Sequence, residues 1–220
     1  MHLTEGLEIY KTTTAYYSWA MQLEKDAQRI LAVLHEFGNH PSPSALTEAK
    51  NFLIDVERWK AGCLQQRMGN AAQNRDSKIW SAFQEALSAK SDTEALLSIM
   101  QLRGFGSSVD DATGLRRAKV ATSVLRFLWP DKWGVVDWRV AAMLGFLKKN
   151  NWDVDKSLSE AEHRRADDFR EAFDIIDEPG ASDYNRQYRD ISKQQGLELS
   201  RAADVDMAIF GLSLVAWPMR

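Results

Sequence analysis

Cysteine is nearly absent from the chain, with Cys63 alone among 220 residues. A single thiol excludes an internal disulfide framework, a four-cysteine zinc site and a four-cysteine iron–sulfur cluster. Histidine is also sparse. His2, His35, His40 and His163 show no metal-ligand spacing such as HExxH. No apolar run approaches the roughly 18–20 residues of a membrane span. The opening MHLTEGLEIYKTTT has no basic stretch leading into an apolar one, so no secretory signal is read there. These absences set the expectation of a cytoplasmic protein with no metal, no cofactor and no membrane partner.

What is present is ordinary globular material, 45% hydrophobic and 27% charged. That length suffices for one substantial core or two small lobes. Net charge is −3 and the pI is about 5.9, which argues against indiscriminate nucleic-acid binding. The charge is unevenly distributed, and distribution matters more than the sum. Between Gln101 and Arg139 seven cations (Arg103, Arg116, Arg117, Lys119, Arg126, Lys132, Arg139) stand against four aspartates. The middle of the chain is the electropositive part of an acidic protein.

Apolar residues recur at helical spacing almost throughout. Leu23, Ala27, Ile30, Leu34 and Phe37 mark one helix, stopped by GNHPSPS. A second runs over about 45–61, and Ile79, Phe83 and Leu87 mark a third. Ser91 with Glu94 forms a capping-box pattern ahead of a fourth, which ends at the glycine-bearing turn RGFG. A fifth is expected from about Leu115 to Leu128, closed by Trp129-Pro130. Val135-Val136 is too short for a strand. Asp137 caps a sixth helix, WRVAAMLGFLKK. Ser157 and Glu160 give another capping-box pattern, followed by a long charged helix to about Ile176 and the breaker DEPG. Two more helices are expected around Tyr184–Gln195 and Arg201–Ala216. The fold class is all-α, with eight or nine helices.

One stretch, RRAKVATSVLRFLWPDKWGVVDWRV, concentrates the chemistry. Lys119 lies on the fifth helix and Asp137 follows eighteen positions later. Ala118, Ala121, Leu125 and Leu128 make that helix's packing stripe, which puts Lys119, Ser123, Arg126 and Arg116 on the opposite, open face. Lys119 there fits a cleft-lining lysine or a solvated one. Asp137 fits an N-cap or a catalytic carboxylate, and the two roles are compatible. Gly104 and Gly106 could hold a phosphate through backbone N–H groups or simply end a helix. Arg103, Arg116 and Arg117 around that turn suit phosphate contact. Arg139 suits phosphate or a carboxylate. Trp129, Trp133, Trp138 and Trp152 suit core packing, base stacking or a duplex wedge.

K-V-A-x-x-V-L followed by V-V-D resembles the helix–hairpin–helix DNA glycosylases, the superfamily of endonuclease III and 8-oxoguanine DNA glycosylase. The matching residues are Lys119, Val120, Ala121, Val124, Leu125, Val136 and Asp137, within about forty residues. RRA stands where the family has a glycine hairpin directly before its lysine; the nearest G-F-G is Gly104–Gly106. The iron–sulfur cysteines of the endonuclease III branch are missing.

The resemblance implies two helical lobes with a central cleft, 28–128 forming one and 1–27 with 129–220 the other. It implies excision of a damaged or modified base from duplex DNA by base flipping. Asp137 would stabilise positive charge on the sugar. Lys119 would attack as a neutral amine and permit abasic-site lyase chemistry, its pKa lowered by burial and by Arg116, Arg117 and Arg126. Arg103, Gly104, Gly106, Arg116, Arg117, Arg126 and Arg139 would contact DNA. A glycosylase-like scaffold that binds DNA or a protein without catalysis is the alternative.

Overall fold

The computed structural model describes residues 1–13, 15–61, 69–106, 118–173, 176–195 and 199–219. Among them the chain is all-helical, with eleven α-helices. α1 (Leu3–Thr13), α2 (Tyr16–Phe37) and α3 (Pro43–Ala61) lead into a 3-10 turn at Ala71–Gln73. α4 (Asp76–Ser88), α5 (Asp92–Met100) and α6 (Ala118–Leu128) follow. α7 (Trp138–Lys149), α8 (Val154–Glu162), α9 (Ala166–Ala172), α10 (Glu178–Gln195) and α11 (Ala202–Ala216) complete the order.

Local chemistry sets most of these boundaries. α2 buries Ala20, Leu23, Ala27, Ile30 and Leu34 along one stripe and stops at Gly38, whose φ of 49° suits glycine. Ser91 caps α5 by accepting from the Glu94 N–H, while the Glu94 carboxylate accepts from Lys90 N–H rather than closing a reciprocal box. The start of α8 differs from the expected one. Its cap is Asp153, which accepts from Lys156 N–H, and Ser157 lies inside the helix donating to the Asp153 and Phe146 carbonyls. The long charged helix is two helices, α8 and α9, parted at 163–165. The break expected at DEPG lies just ahead of it, between Ala172 and Glu178. Pro179 and Gly180 occupy the first turn of α10, where proline lacks only an N–H that the helix would leave unpaired.

α11 organises one group of helices. Its sequence is largely apolar on every side, the mark of a helix surrounded by protein. It packs on α1, α7, α8 and α10. The α1 crossing is backbone to backbone: a Cβ on Gly211 would sit 1.8 Å from the Gly6 carbonyl oxygen, and one on Gly6 would sit 2.2 Å from that of Ala208. α2 packs on α3 and α6, α3 on α4, α4 on α5 and α5 on α6. α10 also reaches α5 and α6, and one apolar core runs through both groups. The expected boundary at 27/28 falls inside α2, a continuous 22-residue helix buried on both sides of that point. No helix among the described residues is long and apolar enough to cross a membrane.

Candidate active site

Asp137 is the first residue to place. Trp133 is 1% exposed and fixes the chain ahead of it. The next three residues run through the interior outside any helix, and each gives its N–H to a buried side chain. Gly134 donates to Asn185 Oδ1 at 2.7 Å, Val135 to Asp206 Oδ2 at 2.7 Å and Val136 to Thr122 Oγ1 at 3.0 Å. These partners stand on α10, α11 and α6. Gly134 admits the close approach, since a Cβ there would meet Asp206 and Tyr188 side-chain carbons at 2.7 and 2.8 Å. Asp137 then caps α7, its Oδ1 accepting from Val140 N–H at 3.1 Å. The expected cap is confirmed, and it fixes the carboxylate rigidly.

That carboxylate lines a cavity of about 1020 Å³. The cavity sits where the end of α3 faces the start of α7, bounded by α1, α9 and α11. Its aromatic walls are Tyr10, Tyr16, Trp59, Trp138, Phe210 and Trp217. Trp59 is held by a bond from Nε1 to the Tyr16 carbonyl (3.3 Å) and by edge packing on Phe127. Lys60 and Asp206 share the cavity with Asp137, and Arg139, Arg165, Asp167 and Arg170 add charge along α7 and α9.

Electrostatics inside the cavity are unusual. Burial pushes the Lys60 ammonium below its ordinary pKa; Asp137 opposes this, the like charge of Lys119 adds to it, and Asp206 opposes it. Lys60 stays partly accessible because the cavity reaches it. Burial pushes Asp206 up to about 7, against the pull of Arg126 and the Val135 N–H. Burial lowers Arg139, with Asp137 opposing and Arg170 adding to the shift.

Several expected site residues lie elsewhere. Lys119 does not line the cavity. The open face assigned to its helix is closed at two of its positions, Ser123 being 0% and Arg126 1% exposed, while Lys119 is half-buried. Arg126 pairs with Glu24 at 2.7 Å and stands 4.0 Å from Asp206. A guanidinium buried and engaged there is closed to an outside phosphate, against the DNA-contact role expected of it. Arg139 lines the cavity, but its Nη1 donates to the Ser213 and Trp217 carbonyls and its guanidinium covers the Trp138 ring. Arg103 is exposed.

The Gly104 and Gly106 turn does have left-handed backbone, with φ of 92° and 130°. Gly104 faces inward, where a Cβ would meet Asn70 Cβ at 2.8 Å, and Asn74 bonds both the N–H and the carbonyl of Arg103. The turn thus packs on 69–74. Arg116 and Arg117 lie outside the described residues. Of the four tryptophans, only Trp138 lines the cavity. Trp133 is core, Trp129 packs against the core, and Trp152 is 43% exposed away from it.

The sequence reading missed Lys60, Trp59, Asp206 and Trp217. Asp206 carried a signal, being an acid past the first turn of a largely apolar helix. Lys60 carried none, as a lysine in the last turn of a helix is commonplace. Among the described residues no group of three or more His, Cys, Asp or Glu could hold a metal ion. The chain matches no family model, no curated protein and no solved structure.

Proposed function

We propose that the chain is a DNA glycosylase of helix–hairpin–helix type that flips a damaged or modified base into this cavity and breaks its bond to the sugar. One observation carries the reading: a carboxylate fixed by a helix cap, Asp137, stands on the wall of a cavity lined with aromatic rings. Loss of a base builds positive charge on the sugar, and a fixed carboxylate in a site of restricted water stabilises it. Aromatic walls suit stacking on an extruded base. The Lys60 amine in the same cavity suits a lyase step. In this reading α2–α6 form one lobe and α1 with α7–α11 the other, and the two groups of packed helices support that division.

A panel of duplexes, each carrying one modified base, tests the proposal by base release. Asp137→Asn keeps a capping side chain and should lower release by about 100-fold or more. Release unaffected by Asp137→Asn, or none from any duplex, refutes it. A non-catalytic DNA-binding scaffold is favoured by the inward packing of Gly104 and by the absence of Lys119 from the cavity lining. It predicts salt-dependent duplex binding, unchanged in Asp137→Asn, with no product.

A further inference from the structure

The family resemblance puts the reacting amine on α6, whereas the cavity presents one from α3. Lys60 lines the cavity together with Asp137 and Asp206; Lys119 does not. Trp59 anchors the helix end that carries Lys60 through its bond to the Tyr16 carbonyl and its contact with Phe127. No hydrogen bond or ion pair to another described residue engages the Lys60 amine, which acts on Asp137, Lys119 and Asp206 only through the field.

We infer that Lys60, rather than Lys119, is the amine that bonds to the sugar in the proposed reaction. The inference rests on the glycosylase reading of the cavity and goes beyond it by moving the covalent step to a different helix. The environment suits the role. Protein packed around Lys60 penalises its ammonium form, and the positive charge of Lys119 adds to the penalty. Lys119 is then a positioning residue that acts through Lys60.

The amine nitrogen bonds to C1′ of the flipped deoxynucleoside as the bond from C1′ to the base breaks. That electron pair leaves with the base, which takes a proton from water. The new ammonium gives a proton to the Asp137 carboxylate, which passes it to the ring oxygen as the sugar opens, leaving an iminium between Lys60 and C1′. Water hydrolyses the iminium and restores the amine. On a preformed abasic site the same iminium forms from amine and aldehyde with loss of one water.

The probe is a duplex with a single abasic site, reduced with borohydride in the presence of the full chain and mapped by peptide mass spectrometry. The adduct is expected on Lys60. Lys60→Met should cut trapping by about 50-fold or more. Lys119→Met should retain it, with its pH profile moved to higher pH because Lys60 becomes easier to protonate. Lys60→Arg keeps length and charge but forms no iminium, and serves if the methionine variant does not fold. An adduct on Lys119 or any other residue, or trapping undiminished in both Lys60 variants, overturns the inference. Base release without any trapping also overturns it, while leaving the glycosylase reading intact. Neither release nor trapping overturns both.

Discussion

Replacing Arg126 with methionine separates an interior ion pair from a DNA contact. The guanidinium is 1% exposed, 2.7 Å from Glu24 and 4.0 Å from Asp206, whose side chains are themselves 12% and 7% exposed. Methionine refills much of the volume but removes the only one of these charges shared by both carboxylates. Glu24 keeps Arg201 at 2.8 Å. Asp206 keeps the Val135 N–H and the more distant Lys60. Removing one partner of a buried pair costs about 3–5 kcal/mol, and the second cation beside Glu24 places the expectation near the lower end. For a chain of this length that lowers Tm by roughly 6–12 °C.

The loss should also depend on pH. Asp206 is held near 7 only against the pull of Arg126, so in the methionine variant its carboxyl rises further and takes a proton at pH 6 instead of standing unpaired, and the loss is larger at pH 8 than at pH 6. Arg126→Lys should recover part of the loss, because it restores charge without the planar fork. Urea unfolding at both pH values, followed by tryptophan fluorescence, measures all three chains. A surface arginine that contacts DNA would cost under about 0.5 kcal/mol. A loss below about 1 kcal/mol at pH 8 would refute the buried arrangement.

Asp206→Asn addresses the same carboxylate from the other side. The folded protein holds the Asp206 proton up to about 7, and the unfolded chain loses it near the ordinary carboxyl value of 3.8. The stability contributed by that proton is therefore present below about pH 4 and lost as pH rises towards 7. Urea midpoints from pH 4 to 8 should show this falling component in the parent and its absence in Asp206→Asn; identical profiles would rule it out. Gly211→Ala puts a methyl 1.8 Å from the Gly6 carbonyl oxygen, so α1 must move off α11. Calorimetry should show destabilisation of at least about 2 kcal/mol, and an unchanged Tm would mean the helices do not cross so closely.

The sequence was most legible where the signal was local. The caps Ser91 and Asp137 both accept the backbone N–H expected of them. Stripes such as Leu23–Leu34 give buried faces because a helix turns its apolar side inward whatever it meets there. α6 shows where this reasoning stops. Its pattern is strongly amphipathic, yet Thr122, Ser123 and Arg126 on its polar side are as buried as its apolar side. That side meets polar partners: Thr122 receives the Val136 N–H, and Arg126 meets Glu24 and Asp206. A polar stripe states what a face can satisfy, and water is only one answer. The cavity was hidden for a related reason. Tyr10, Lys60, Asp137 and Asp206 come from four distant segments, and no spacing along the chain records their convergence.

The run Gly134–Val136 leads directly into Asp137. Its N–H groups are claimed by side chains lying 14, 51 and 71 positions away in the chain, so the carboxylate inherits its coordinates from three helices at once. The length of that run is thereby frozen. One residue added or removed between Trp133 and Asp137 would put every donor out of phase with its acceptor and strand buried polar groups. Substitutions at Asn185 or Thr122, neither of which lines the cavity, would be felt as a carboxylate out of place. The site's tolerance to change is therefore governed not only by residues that face the cavity, Asp206 among them, but also by two behind its threshold, Asn185 and Thr122.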